Sequence, residues 1–408
     1  MLEIEYDKDL RELNTFGMRV RAKAFAEYDS VEELAELLHG GKTAEGLSGR
    51  TGRQLPEPFL HIGSGSNLLF TGDFPGTVLH SRINYIKVTG GDRAAEESAD
   101  DVVYVSVGSG VVLDDFCKWA AEQRLWGAEN LSHIPGEAGA SAVQNVGAYG
   151  VEVKDIISKV SCYDMEERRT VEFGVDECAY AYRDSVFKHA PAKGRYIITE
   201  VQYCLSRVPQ PRLDYGHLRH AVEEALRNCP PEPSACASGF ASDNAAGPAS
   251  ADMSGFEPAN VSALESVGAD ALTPALVRQV VTEIRRGKLP EPSELGSAGS
   301  FFKNPVVPEQ VYMDILAGQK AILGEDAAVP HYMMGDGMVK IPAAWLIEQC
   351  GWKGRRCGGA GVYEKQPLVL VNRSGNALPE DILKLESQIV DSVLTRFGIS
   401  ICPEVEHI

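Results

Sequence analysis

The sequence predicts an α+β chain of about two or three domains. Its 408 residues exceed what one hydrophobic core usually serves. Strand-like runs that end in glycine-rich turns stand beside amphipathic helical stretches. A stretch of changed composition at 229–270 interrupts them.

The first helix is predicted over residues 30–39 (SVEELAELLH), with Ser30 as N-cap and Glu33 completing a capping box. Residues 41–58 are rich in Gly, Pro and polar groups and read as a surface loop. Residues 59–62 (FLHI) read as a strand running into the turn GSGSN. Residues 102–107 (VVYVSV) form a second β-branched run, and 112–123 a helix. From 151 to 205 β-like segments alternate with turns, at 156–164, 169–173 and 196–206. Residues 207–211 read as a linker and 218–228 as a helix. Residues 229–270, dominated by Ala, Ser, Gly, Pro and Asp, carry too few large apolar groups to offset their ordering entropy and are expected to be disordered. Thr273-Pro274 restarts order as N-cap and first helical residue of a helix to about Lys288. A helix at 343–349, a strand at 367–372 and a long helix at 379–397 complete the chain.

Hydrophobic residues make up 44% and charged residues 24%, which excludes a disordered or fibrous chain. Lys and Arg number 39 against 58 Asp and Glu, a net charge of −19. Coating nucleic acid needs a basic surface, so that class is excluded, whereas a small anion held by a local field is not. The nine cysteines, Cys117, Cys162, Cys178, Cys204, Cys229, Cys236, Cys350, Cys357 and Cys402, are odd in number and lack CxxC spacing. A zinc site or disulfide framework is not expected, nor is any metal. The N-terminus is acidic without an apolar h-region, and no apolar run reaches the roughly 18 residues of a spanning helix. A cytoplasmic, monomeric protein without a membrane partner is the expectation.

Six segments could carry chemistry. Gly63, Ser64, Gly65, Ser66 and Asn67 follow a strand with little side chain in the way, so they form either an anion cradle or a tight turn. Ile134, Pro135 and Gly136, then residues 139–150 with Gln144, Asn145, Gly147 and Ala148, place backbone against a large flat or anionic group, or form turns in a sheet. Gln144 and Asn145 have amides that can reach a heteroaromatic edge. Arg183, in YAYRDS, offers a fork for a carboxylate or phosphate, or pairs with Asp184 at the surface. Ser300 lies between Gly299 and Phe301-Phe302, as a proton donor or as a turn residue beside a buried aromatic pair. Arg285, Arg286 and Lys288 either complement a helix C-terminus or hold a diphosphate. Glu404 is a general acid if desolvated, or an exposed glutamate.

Taken together these segments resemble the UDP-N-acetylenolpyruvoylglucosamine reductase family. The matching stretches are NTFG (14–17), GSGSNLL (63–69), residues 134–150, YRDS (182–185), Tyr215-Gly216, KLP (288–290), GSFFKN (299–304), AWLIEQC (344–350), residues 366–372 and PEV (403–405). They run in family order along nearly the whole chain, apart from 41–58 and 229–270.

The resemblance implies an FAD-binding region of the vanillyl-alcohol-oxidase (PCMH) type over 1–206, in two subdomains of about 1–80 and 81–206. A UDP-sugar domain over 207–400 follows, and the segment 401–408 returns a glutamate to the cleft. It implies FAD as cofactor, NADPH as reductant and a UDP-sugar enol ether as substrate in peptidoglycan precursor synthesis. Hydride passes from reduced flavin to the alkene. Ser300 is implied as the proton donor, with Arg183 and Glu404 stabilising the enol-type intermediate. Tyr182, Tyr215, Arg285, Lys288, Asn304 and Gln366 fall to the substrate. Gly63, Ser64, Gly65, Ser66, Asn67, Ile134, Pro135, Gly136, Gln144, Gly147 and Ala148 fall to FAD. The Tyr215-Gly216 pair marks the subtype whose tyrosine-bearing loop closes over the diphosphate. One departure is Glu406, where family members often carry Arg.

Overall fold

The computed structural model describes residues 2–39, 55–90, 101–228 and 271–408. The stretch at 229–270 and residues 41–54 of the expected surface loop lie outside the described residues. A mixed sheet opens the chain, with strands in the order Ile4–Asp9, Arg21–Tyr28, Phe74–Ser81 and Phe59–Ile62. The first pair is antiparallel and the others are parallel. The helix Val31–His39 covers one face, where Leu34 and Leu37 join Ala24, Tyr28 and Leu79. Ser30 Oγ accepts the Glu33 N–H at 3.2 Å, as the capping pattern predicts. The Glu33 carboxylate takes the N–H of Asp29 at 2.8 Å, so the box closes one residue earlier than expected.

The second sheet is antiparallel throughout, in the order Arg169–Gly174, Ile157–Asp164, Tyr196–Ser206, Val102–Gly108 and Ile86–Thr89. The alternation of β-like segments and turns in the sequence matches it. Helix Leu113–Glu122 packs on this sheet through Phe116, whose ring stacks on Tyr203 with centroids 4.3 Å apart. A second, short helix, Ala138–Gln144, replaces the turns read from its glycines. The small residues there serve close packing. A Cβ on Gly139 would lie 2.8 Å from the Cβ of Ser109.

Helices Leu218–Asn228 and Pro274–Lys288 pack on each other through Leu218, Val222, Leu226, Val277, Val280 and Val281, with Trp126 beneath. Thr273 caps the second helix, accepting the Leu276 N–H at 3.2 Å, with Pro274 in its first turn. The C-terminal region holds a four-stranded sheet in the order Gly296–Ser297, Leu370–Asn372, Ala360–Val362 and Arg356–Cys357. A three-stranded one (Val306–Pro308, Met338–Lys340, Tyr332–Gly335) accompanies it. Helix Pro379–Phe397 buries Ile382, Leu385, Ile389, Val393 and Phe397, a stripe at helical spacing. These side chains share one cluster with Ala22, Phe25, Ile62 and Val78 of the first sheet.

Some elements differ from expectation. The strand at 367–372 is confined to Leu370–Asn372, because the Val369 N–H turns back to the carbonyl of Gln366 at 3.0 Å. Strand Phe74–Ser81 was masked in the sequence by Pro75 and Gly76, which usually punctuate strands. Gly76 is required there, since a Cβ would sit 1.8 Å from the Pro58 carbonyl oxygen. Helix Glu309–Leu323 was not anticipated either. No helix among the described residues is long and apolar enough to cross a membrane.

Candidate functional site

The strand Phe59–Ile62 delivers the chain to the turn at 63–67. Gly65 is fixed there by backbone need, with φ +64° and its absent Cβ 2.2 Å from the Leu13 carbonyl oxygen. Its own carbonyl accepts the Thr15 N–H at 3.2 Å. The adjacent Asn14 is buried and clamps its own loop, donating to the carbonyls of Leu10 (2.7 Å) and Met18 (3.1 Å) and accepting the Met18 N–H (2.9 Å). The NTFG segment thereby anchors the turn. It also reaches the C-terminal sheet, through Ser297 N–H to Thr15 O at 2.9 Å and Asn372 Nδ2 to Phe16 O at 3.0 Å.

The turn at 134–136 faces the first one. The Ser66 hydroxyl donates to the Pro135 carbonyl at 3.1 Å, and Gly136 (φ +124°) lies against Ser66. Among the described residues, the backbone N–H groups of Ser64, Gly65, Ser66 and Asn67 bond no acceptor. Successive free N–H groups in a turn, walled by glycines, suit a diphosphate. The residues present therefore fit the anionic middle of a dinucleotide such as FAD. Gly147 and Ala148 form a short hairpin with Val151–Glu152 beyond this cradle.

The two amides beside the cradle are engaged to different degrees. Asn145, fully buried at φ +45°, donates to Glu152 Oε2 (3.0 Å) and Ala181 O (2.8 Å) and accepts the Lys154 N–H (3.2 Å). Its amide is spent on holding the loop, not on a ring edge. Gln144 Oε1 accepts from Lys188 Nζ at 2.7 Å.

Arg183 sits at the tip of a tight turn in which Ala181 and Asp184 exchange both backbone hydrogen bonds, each 3.1 Å. Its φ of +55° is uncommon for a side-chain-bearing residue and costs about 1–2 kcal/mol. The guanidinium is thereby aimed inward. It donates to Gly147 O (2.6 Å) and Asn145 O (3.3 Å), and its Nε lies 2.9 Å from Glu404 Oε1. Asp184 instead pairs with His189 at 2.8 Å, so the surface Arg183–Asp184 pair does not form.

Glu404 is delivered by the segment 402–408, which lies between two regions. On one side the Glu404 N–H bonds Phe301 O (2.7 Å) and the Lys303 N–H bonds Cys402 O (3.0 Å). On the other, Asn67 Nδ2 donates to Glu404 O (3.3 Å), and Glu406–His407 pairs in parallel with Leu68–Leu69. Burial raises the Glu404 carboxyl above its ordinary pKa, and the nearby Arg183, Lys188 and Lys303 offset this only in part. Ser300 is exposed, beside the buried Phe301 and Phe302. The aromatic pair lies in the core, as one of the two sequence alternatives has it, and the serine stands at the surface beside it. The Glu406 departure also has a partner, since its carboxylate pairs with Lys193.

A group of tyrosines borders this pair. Asn304 Nδ2 lies 3.4 Å from the Tyr182 hydroxyl, and Asn304 Oδ1 accepts the Ala343 N–H at 2.9 Å. Tyr215 is 46% exposed, meets Tyr149 edge-on and lies parallel to Tyr332 with centroids 6.3 Å apart. Lys340 Nζ stands about equally over the rings of Tyr182 (5.1 Å) and Tyr332 (5.2 Å). Arg285 turns inward, its Nε donating to His133 O at 3.0 Å, whereas Lys288 stays exposed at the helix end. Gln366 shapes the turn that offers Leu368 O to the Phe301 N–H at 2.8 Å. Within an acidic chain, Arg183, Lys188, Lys303, Lys340 and Arg285 make this cleft locally cationic. Burial lowers the pKa of Lys188 and Lys340, with repulsion from Lys303 added at the first and from Arg183 at the second.

Lys188, Lys303, Lys340 and Tyr332 escaped the sequence reading as site residues. Lys303 lay inside a motif read for its serine and asparagine. The other three follow no spacing rule and are gathered only by the fold.

Residues 291–408 match the family described as the UDP-N-acetylenolpyruvoylglucosamine reductase C-terminal domain. Residues 50–171 match the FAD binding domain. A Bacteroides fragilis UDP-N-acetylenolpyruvoylglucosamine reductase is 41% identical over 395 residues, 97% of each chain. The Chromobacterium violaceum protein of the same name is 37% identical over 404 residues, covering 99% of this chain and 98% of its own. The crystal structure of the Thermus caldophilus reductase superposes with a TM-score of 0.56 at 20% identity, covering 100% of this chain and 98% of that one, which shows a shared fold. Identity at that level along the whole length, with both domains matched, means that the chain belongs to the UDP-N-acetylenolpyruvoylglucosamine reductase family, FAD-dependent oxidoreductases of α+β fold.

Proposed function

We propose that this chain reduces UDP-N-acetylglucosamine enolpyruvate to UDP-N-acetylmuramate, with FAD as cofactor and NADPH as reductant. The observation that carries the reading is the Arg183–Glu404 pair, 2.9 Å apart, held by a segment bonded both to the 63–67 turn and to the Ser300 loop. Bound FAD supplies the hydride chemistry of the reaction.

The chain's own residues do the rest. The glycine turns with Gly63, Ser64, Gly65, Ser66, Asn67, Ile134, Pro135 and Gly136, and the nearby Gln144, Gly147 and Ala148, hold the cofactor. Arg183, fixed by two carbonyls before any ligand arrives, stabilises negative charge that develops on the substrate carboxylate. Glu404, whose carboxyl burial shifts toward the protonated form, stands beside Arg183 to share that charge when it carries its proton. Ser300 gives the proton to the carbon next to the one that accepts hydride. Tyr182, Tyr215, Arg285, Lys288, Asn304 and Gln366 bind the sugar nucleotide, with Tyr332 and Lys340 added by geometry. Tyr215, exposed and packed against Tyr149 and Tyr332, is placed to close on the diphosphate. The domain limits set out above, a monomeric state, a cytoplasmic location and independence of nucleic acid and membrane belong to the same reading.

An anaerobic stopped-flow experiment tests it. NADPH bleaches the bound flavin, and the enolpyruvyl UDP-sugar restores its colour rapidly. Bleaching without reoxidation by that substrate overturns the substrate assignment.

A further inference from the structure

Behind the cofactor turn runs a row of charged groups that the reaction does not use. Arg82 Nη1 lies 3.3 Å from Glu27 Oε2. Glu27 Oε1 lies 2.9 Å from His80 Nδ1, and His80 Nε2 lies 3.0 Å from Glu137 Oε1. Glu137 Oε1 accepts the Ser64 hydroxyl at 3.3 Å, and its Oε2 would stand 3.1 Å from a Cβ on Gly63. The row thus runs from the surface to the first two residues of the cradle.

Its geometry fixes a charge. A neutral imidazole has one N–H and one acceptor nitrogen, so it satisfies only one of two flanking carboxylates. His80 has a carboxylate at each nitrogen, and only the imidazolium donates to both. Burial opposes that charge, but Glu137 and Glu27 together hold the pKa above the usual histidine value. The other titratable neighbours do not supply a rival proton. His61, on the next strand, is held neutral by burial, its pKa near 3, and its Nε2 contacts the Tyr28 hydroxyl at 2.6 Å. Tyr28 is itself pushed upward by burial.

We infer that His80 and Glu137 are positioning residues for the cofactor turn: the His80 imidazolium neutralises and holds the Glu137 carboxylate, which fixes Ser64 and makes the cradle hospitable to a diphosphate. A bare carboxylate behind that turn would repel the phosphates and compete for the same N–H donors. The inference rests on the reading of residues 63–67 and 134–136 as the FAD cradle. Its signature is pH-dependent cofactor retention. Affinity holds while His80 is charged and falls as pH rises through its raised pKa.

FAD binding to apoprotein, followed by quenching of flavin fluorescence from about pH 6 to about 9, tests this. Wild type is expected to lose about tenfold in affinity across the range. His80→Gln binds about tenfold more weakly at the acid end and shows no such pH slope, Glu137→Gln loses the slope, and the double variant recovers affinity relative to His80→Gln alone. Thermal unfolding of each apoprotein separates misfolding from weakened binding, and recovery in the double variant does so independently. A wild-type affinity flat with pH, or a His80→Gln variant that binds like wild type, overturns the inference. Gly136→Val, which narrows the cradle directly, distinguishes the two levels. If it too binds FAD normally, the cradle reading falls with the inference; if it alone fails, only the role of His80 and Glu137 falls.

Discussion

The glycine cradle at 63–67 and 134–136 and the Arg183–Glu404 pair, bridged by Asn67, are built in opposite ways. The cradle is backbone: glycines at 63, 65 and 136, free N–H groups, and walls set by Leu13 and Pro135. The pair is side chain: two charged groups from remote segments, each held by backbone hydrogen bonds of its own loop. A backbone site is destroyed by adding atoms, and a side-chain site by changing them. Asn67 joins the two, donating to Glu404 O and accepting the Glu406 N–H at 3.0 Å.

The difference predicts separable failures. Arg183→Lys keeps the charge and loses the fork, so turnover should fall about 10²- to 10³-fold while flavin content stays at the wild-type level. Steady-state kinetics with flavin absorbance checks both, and loss of flavin would show that the two regions are not independent. Gly65→Ala should do the reverse. Its Cβ meets backbone at Leu13, and the left-handed φ adds strain, so the apoprotein should lose about 3 kcal/mol in urea unfolding and bind FAD poorly. The smallest effect is a pH slope. Because burial raises the Glu404 pKa in the folded state, its ionisation costs stability as pH rises from the ordinary glutamate range through the raised value. Glu404→Gln should flatten that part of the stability curve, measured as unfolding midpoint against pH. A slope identical to wild type would mean that Arg183 fully compensates the buried charge.

The same division decides what was legible in the sequence. The glycine turns announce themselves by composition, and the ends of the helices Leu218–Asn228 and Pro274–Lys288 follow from capping chemistry and periodicity. Arg183 and Glu404 have no local signature, and family motifs in order were needed to single them out. Asn145 shows the opposite error. It looked like a ligand donor, yet both its N–H donors are spent on Glu152 and Ala181 and its oxygen accepts from Lys154, which only the fold reveals. Lys188, Lys340 and Tyr332 had no signal at all, because nothing in linear spacing says which cations will be drawn over which rings.

The helix pair that carries Arg285 has a consequence for how that side chain is placed. Leu218, Val222 and Leu226 close on Val277, Val280 and Val281, and the Arg278 guanidinium forks onto Asp114 of the helix beneath. Each helix is thus registered by its neighbours. The same packing sets where Arg285 meets the His133 carbonyl, so the guanidinium is placed by apolar side chains that carry no charge of their own.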